Sequence, residues 1–285
     1  PRSTLFPYTT LFRSGYDELR KIHPGIIYCS ICGFGHDSLP EFATTPAYDM
    51  IAQAQSGLMS ITGPLGGPPV RVGSSMGDII AGHQGAIGIL AALEYRRRTG
   101  QGQPGDISMV DSLVYTLENA IVRYTLEGEV PQPLGSAHPT ITPFQGFEAK
   151  DGTFVITAIG NDSLWVKFCK VLGREDLAEH ELYLTNGLRT KHRDSLIAIL
   201  KQEMLKRNSA EWIAALTEAG LPNSPINTID KVLEDRNLRH RNMIVTVEQP
   251  KVGPVKMAGS PFHLTESPGS VHAPAPSTGQ QKRNV

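Results

Sequence analysis

The strongest constraint on the fold is an apolar segment at residues 26–32, which ends in Gly33-Phe34-Gly35. The preceding His23-Pro24-Gly25 is a turn signal, because proline disfavours a helical conformation in the residue before it and glycine accepts positive φ. A continuous apolar strand that runs into a glycine turn is typical of a parallel sheet buried on both faces. The segment therefore predicts an α/β fold with this strand inside the sheet.

A long helix at residues 79–98 is the second strong signal, and Asp78 directly precedes it. Basic residues at positions 96–98 suit the negative end of the helix dipole, and Gly100 can supply a left-handed C-terminal turn. The apolar residues lie roughly on one stripe at helical spacing. They are Ile80, Ile87, Leu90 and Leu93.

Three glycines, Gly82, Gly85 and Gly88, recur every three residues within this helix. A glycine in a helix interior costs about 1 kcal/mol relative to alanine. The pattern therefore predicts that another backbone approaches closely along this face.

The rest of the chain divides at a proline-rich stretch. Residues 129–143 contain four prolines, which indicates an interdomain linker. After it, Lys150-Asp151-Gly152 lies between two apolar stretches and predicts a hairpin. We predict a large α/β domain at residues 15–128, a linker at 129–143, a small α+β domain at 144–226, and a return segment to the large domain with a tail at 227–285.

The charged residues nearly balance. Lys plus Arg number 27 and Asp plus Glu 28, so the formal net charge is −1. This balance gives no electrostatic reason to expect binding to nucleic acid or an anionic membrane. No uninterrupted apolar run approaches the ~20 residues that span a bilayer. We predict neither nucleic-acid nor membrane partners.

Cys29 and Cys32 have a C-x-x-C spacing, which elsewhere indicates a redox or zinc site. Here both lie on the predicted strand, where residues three apart face opposite sides. No second Cys or Cys/His pair completes a metal site in the sequence. We therefore predict no metal, structural thiols that are buried or half-buried, and a reducing compartment, either the cytoplasm or the mitochondrial matrix of a eukaryote.

Asp78 has a local interpretation as an N-cap, since an Asp before a helix accepts a hydrogen bond from a first-turn amide. A wider set of ordered matches adds a second interpretation. From Tyr28 to Asn119, and at scattered motifs beyond, the chain resembles the family III CoA-transferases. The matches include Gly33-Phe34-Gly35, Tyr48-Asp49-Met50-Ile51-Ala52-Gln53-Ala54, Gly77-Asp78, Thr99-Gly100-Gln101-Gly102-Gln103, Asp106-Ile107-Ser108-Met109 and Gly160-Asn161-Asp162.

The resemblance implies that Asp78 is a covalent nucleophile, with coenzyme A as substrate and no cofactor. A carboxylate can attack an acyl-CoA thioester and then carry CoA as an aspartyl thioester, which divides one difficult exchange into easier steps. Free amides at the helix start can stabilise the developing oxyanions. The residues expected to border CoA and the acyl substrates are Gly33, Phe34, Gly35, Tyr48, Gly77 and Gly160.

The resemblance further implies a Rossmann-like large domain and an interlocked homodimer with the site between domains. It also implies N-terminal truncation, because the family's proteins are longer at that end. Residues 1–14 read PRSTLFPYTTLFRS. They lack the charged start and apolar stretch of a signal peptide and resemble a translated sequencing adapter, so we expect them to be non-native.

Three functions remain open on the sequence. Transfer of CoA to a carboxylic acid is favoured, because related α-methylacyl-CoA racemases carry a catalytic His where this chain has Tyr48. Tyrosine, with a pKa near 10, is a poor base at neutral pH. The alternatives are such a racemase and an inactive CoA-binding fragment. The nearest histidines, His36 and His83, are expected to be structural.

Overall fold

The computed structural model describes residues 15–271 and 273–276, so the expectation for residues 1–14 lies outside the described residues. The chain divides into two compact units between Ile141 and Thr142. Helices and strands occur in both, and the predicted mixed α/β class is confirmed. The predicted domain limits stay predictions.

The first unit contains five helices and two strands among its described residues. They are α1 (Tyr16–Ile22), β1 (Tyr28–Cys32), α2 (Asp49–Gln55), α3 (Met76–Thr99), β2 (Pro104–Ser108), α4 (Met109–Val114) and α5 (Ala120–Glu127). One 3-10 turn, Met59–Ile61, follows α2, and another, Tyr115–Leu117, follows α4.

Strands β1 and β2 pair in parallel, with Ser30 opposite Asp106 and Cys32 opposite Ser108. The predicted parallel pairing is therefore present, but the prediction of burial on both faces is wrong for β1. Most of its residues are only partly buried, and Ile31 is 46% exposed. The physical reason is that, among the described residues, β1 has β2 as its one strand neighbour.

Helix α3 packs on this pair through two of its glycines. A Cβ on Gly85 would lie 3.0 Å from Cδ1 of Ile31, and one on Gly88 would lie 3.9 Å from Cδ1 of Ile107. Around Gly82, the space that a Cβ would enter is open among the described residues. The prediction of an approaching backbone is therefore wrong in detail, because side chains of β1 and β2 fill the space at two positions.

Helix α3 begins at Met76, three residues before its predicted start at residue 79. Its N-cap residue, Ser75, makes no side-chain capping bond. The cap comes from α2 instead, where Oδ1 of Asp49 accepts a hydrogen bond from the Gly77 amide at 2.8 Å. Asp78 is the third residue of the helix, so the interpretation of Asp78 as the N-cap is wrong.

Gln53 completes this cap from the next turn of α2. Its Nε2 donates to both carboxylate oxygens of Asp49, at 3.1 and 2.9 Å, and its Oε1 accepts from the Val72 amide at 2.9 Å. Gln53 is fully buried and Asp49 is 8% exposed. The two side chains therefore fix the segment that leads into α3.

By length and composition alone, α3 is long and apolar enough to cross a membrane, with a mean hydropathy of 1.3 over 18 residues, of which 22% are buried. This property averages hydropathy over a window, whereas the sequence expectation concerned an uninterrupted apolar run, which His83 and Gln84 break.

The second unit begins with an antiparallel sheet in the order β3-β4-β5 and ends with the separate hairpin β6-β7. Its strands are β3 (Phe144–Glu148), β4 (Phe154–Ala158), β5 (Asn223–Pro225), β6 (Ile244–Gln249) and β7 (Gly253–Ala258). Its helices are α6 (Asp162–Leu172), α7 (Glu175–Glu179), α8 (Asn186–Lys191), α9 (Arg193–Met204), α10 (Ser209–Glu218), α11 (Ile229–Glu234) and α12 (Arg236–His240).

The predicted hairpin at Asp151-Gly152 is confirmed, and Gly152 has φ of +75° there. The core of the sheet-and-helix part is aromatic and aliphatic, with Trp165, Phe168 and Trp212 almost completely buried. A serine before a helical stretch is a capping signal, so the sequence predicts Ser209 as the cap of α10. This prediction is wrong, because Asn208 and Glu211 form a capping box one residue earlier. The Ser209 hydroxyl donates to Asp151 instead, at 2.8 Å.

Because Asp49 caps α3, we predict that Asp49→Ala destabilises the protein by about 1–3 kcal/mol, leaving the buried Gly77 amide without its acceptor. Ser75→Ala is the matched control. A capping serine normally contributes ~0.5–2 kcal/mol, but this one makes no capping bond, so its loss should change stability little. Urea unfolding measures the free energy of unfolding of both variants. Equal costs for the two variants would contradict the assignment of the cap to Asp49.

The open space at Gly82 leads to a second prediction. Gly82→Ala should stabilise the protein by about 1 kcal/mol, the difference in helix propensity. Gly85→Ala should stabilise the protein by less, because the new Cβ would contact Ile31 and force its side chain to shift. Thermal unfolding compares the two. If Gly82→Ala destabilises, then another chain segment occupies that space in solution.

Candidate active site

Asp78 lies in the first turn of a 24-residue helix, with an exposed side chain. Its carboxylate forms no hydrogen bond or ion pair with another described residue. The N-terminal end of a helix carries a partial positive charge, which favours anionic groups in the first turn. The structure therefore presents a carboxylate that is accessible and held at a site suited to negative charge.

Gly77 allows this arrangement because it leaves room for α2. A Cβ at Gly77 would lie 3.2 Å from Oδ1 of Asp49 and 3.4 Å from Cβ of Ala52. Gly77 is buried, as expected for a position between two packed helices. Its structural role is thus clear, while contact of its amide with a substrate stays a prediction.

Tyr48 is the N-cap residue of α2 and is 81% exposed. It directly precedes Asp49, so the bond from Asp49 to Gly77 brings the Tyr48-Asp49 and Gly77-Asp78 steps together. Asp49 and Gln53 are the residues that sequence reasoning missed. They stand four apart on one short helix, a visible signal, but their partners lie about twenty to thirty residues later in the chain.

The Gly33-Phe34-Gly35 turn follows β1 and packs against the segment before α2. A Cβ at Gly33 would lie 2.2 Å from Cβ of Ala47, so no other residue fits there. Gly35 has φ of +86°, in the region that favours glycine. The structural interpretation of a tight turn is confirmed, and contact of these residues with CoA stays a prediction.

His36 is not isolated. Its ring Nε2 is hydrogen-bonded to the Ser30 hydroxyl, and its backbone amide donates to Oδ2 of Asp106 at 2.7 Å. His83 lies exposed on α3. The turn after β1 is therefore tied to β2 through a carboxylate that sequence reasoning did not select.

Gly160 belongs to the second unit, where it precedes α6. Asn or Asp before a helix is a capping signal, so Asn161-Asp162 predicts a cap at the start of α6. The cap is confirmed, since Oδ1 of Asn161 accepts from the Leu164 amide at 2.9 Å. Asp162 accepts from Nη2 of the fully buried Arg189 at 2.8 Å. Gly160 itself is exposed, with no positive φ and open space where a Cβ would stand. Neither backbone nor packing among the described residues requires glycine here.

The three cysteines have no disulfide partner, as expected, and are partly or fully buried. Burial raises the pKa of Cys169 to about 12, which marks it as a structural thiol. Burial, followed by the carboxylates of Asp106 and Asp111, also raises the pKa of Cys32. Neither of these two thiols is poised as a nucleophile.

Comparison with known proteins gives a consistent answer. The profile of CoA-transferase family III matches residues 9–282. The succinyl-CoA:mesaconate CoA-transferase of Haloarcula marismortui is 38% identical over 277 residues, covering 96% of this chain and 69% of that protein. The succinyl-CoA:glutarate CoA-transferase of Mus musculus is 35% identical over 271 residues, covering 95% of this chain and 62% of that protein.

A solved structure supports the same relationship. The crystal structure of a CaiB/BaiF family protein from Brucella suis has a TM-score of 0.80 at 31% identity, over 98% of this chain and 72% of that one. The chain spans about two thirds of the length of the two named relatives. The resemblance inferred from the sequence is confirmed: the chain belongs to CoA-transferase family III.

Proposed function

We propose that this protein transfers CoA from an acyl-CoA donor to a carboxylic acid through an aspartyl-CoA thioester on Asp78. The names of its relatives support CoA transfer between acids. The observation that carries the choice of nucleophile is the position of Asp78. It is an exposed carboxylate in the first turn of α3, and the amide before it is fixed by buried Asp49.

The reaction needs only carboxylates and a thiolate. The Asp78 carboxylate attacks the donor thioester carbonyl, and the C–S bond breaks to give a mixed anhydride and CoA thiolate. The thiolate attacks the aspartyl carbonyl, releasing the donor as a carboxylate and leaving aspartyl-CoA. The acceptor carboxylate then attacks this thioester, and the released thiolate attacks the acceptor carbonyl. Acyl-CoA leaves and the Asp78 carboxylate returns, with no net change in protons or electrons.

Other residues hold and surround the reacting group. Asp49 is a positioning residue, because it fixes the Gly77 amide and with it the start of α3. First-turn amides of a helix can stabilise an oxyanion. We assign the contacts with CoA and acyl substrate to the residues predicted from the sequence, which are Gly33, Phe34, Gly35, Tyr48, Gly77 and Gly160.

Two of these assignments have specific support. Nothing in the described structure requires glycine at position 160, so close approach of a ligand or another backbone is a reason for its presence. Tyr48 supports transfer over racemisation, since its phenol is a poor proton-shuttling base at neutral pH. Coenzyme A acts as substrate in this proposal, and no step uses a cofactor.

We further propose succinyl-CoA as donor and a dicarboxylic acid as acceptor. The names of the Haloarcula marismortui and Mus musculus relatives support this choice, since both include succinyl-CoA and a dicarboxylic acid. We also propose that the protein acts as an interlocked homodimer in the cytoplasm. The exposed apolar side chains on α3 support a partner chain, among them Ile87 and Leu90.

The nucleophile is tested by exchange of labelled succinate into succinyl-CoA, which requires only one acid. Asp78→Asn should lower the exchange rate at least about a thousandfold, because the covalent step is lost. Glu94→Gln is the matched control, as it removes an exposed carboxylate from the same helix and should leave the rate unchanged. Exchange by Asp78→Asn at more than a few per cent of wild type contradicts the role of Asp78. Absence of exchange by the folded wild-type protein contradicts the proposed function.

A further inference from the structure

Three metal-ligating side chains converge on one face of the β1-β2 pair. Cys32, His36 and Asp106 each offer one ligand atom, and these atoms all lie within 4.8 Å of one another. The side chains of Cys29 and Ile31 contact α3 at Gly85, on the other face. Strand alternation therefore places Cys32 away from α3 and on the same side as Asp106.

The fold, not sequence proximity, assembles this group. Cys32 ends β1, His36 follows in the turn, and Asp106 lies in the middle of β2, opposite Ser30. A search of the sequence for a second cysteine pair cannot find this site. Its third ligand is the carboxylate of Asp106, which lies near Cys32 only because β1 and β2 pair. The sequence-based expectation of no metal rested on that search.

Hydrogen bonds orient two of the three side chains. Oδ2 of Asp106 accepts from the amides of His36 at 2.7 Å and Asp37 at 3.1 Å, and the His36 ring is bonded to the Ser30 hydroxyl. Outer bonds of this kind are what orient imidazole and carboxylate ligands in metal sites. The ligand atoms are thus held near one another by the backbone of the turn.

The charge around the Cys32 sulfur favours a cation. The carboxylates of Asp106 and Asp111 place negative charge near this sulfur, and negative charge attracts a divalent ion.

We propose that Cys32, His36 and Asp106 bind a divalent cation of the zinc type, leaving a fourth position open. Zn²⁺ accepts sulfur, nitrogen and oxygen ligands together, and tetrahedral coordination places them roughly 3.5 Å apart. The present spacing requires side-chain shifts of about 1 Å. The thiolate disfavours Mg²⁺ and Ca²⁺, which prefer oxygen ligands. The metal proposal does not rest on the proposed transferase chemistry.

Titration of the untagged full chain with Co²⁺ tests the site, because a thiolate ligand gives a charge-transfer band in the near ultraviolet. Competition with a chromophoric chelator then gives the Zn²⁺ affinity. We expect one ion per chain. Cys32→Ser should abolish the charge-transfer band, and both Cys32→Ser and His36→Gln should weaken Zn²⁺ binding at least tenfold. Cys29→Ser, on the same strand but facing α3, is the matched control and should bind as wild type.

Asp106→Asn provides an independent variant, because its amide oxygen can still accept the two backbone bonds while the charge is lost. It should fold and bind Zn²⁺ at least tenfold more weakly, with thermal unfolding reporting the fold. Three results would overturn the proposal: no Co²⁺ band in the wild-type chain, an unchanged band in Cys32→Ser, or loss of the band in Cys29→Ser.

Discussion

The hydrogen bond from the Gly77 amide to the Asp49 carboxylate is the interaction on which the candidate active site depends. It joins α2 to the first turn of α3 and is buried at both ends. Hydrogen bonds to charged groups contribute about 1.5–3 kcal/mol, and leaving either partner unsatisfied when buried costs a similar amount. The bond thus fixes where α3 begins, and through that start it directs Asp78 outward.

Sequence reasoning succeeded where the determinants are local. The end of α3 follows from its arginines and from Gly100, which has φ of +74°, and the hairpin at Asp151-Gly152 follows from a two-residue turn signal. It failed at helix starts that depend on distant or competing caps. The cap of α3 is Asp49, which lies 28 residues before Gly77. The cap of α10 is Asn208, which directly precedes the predicted capping residue Ser209.

The site residues show the same division. Gly33 is required because Ala47 fills the space beside it, which explains the glycine without any ligand. Asp106 reaches the turn after β1 only through parallel pairing, so neither its bonds to the turn nor its proximity to Cys32 was visible in the spacing of residues. The family resemblance predicted Asp78 as the nucleophile. The local pattern alone favoured Asp78 as the N-cap of α3, a role that the structure assigns to Asp49.

The central claim is that CoA becomes covalently attached to Asp78, and trapping that intermediate tests it most directly. The protein is incubated with succinyl-CoA, treated with hydroxylamine or borohydride, digested and analysed by mass spectrometry. The account predicts a hydroxamate or a reduced side chain at Asp78 alone. Modification at another residue, such as Asp49 or Cys32, or an unmodified Asp78 in a chain shown to be folded by its cooperative thermal unfolding, would contradict it.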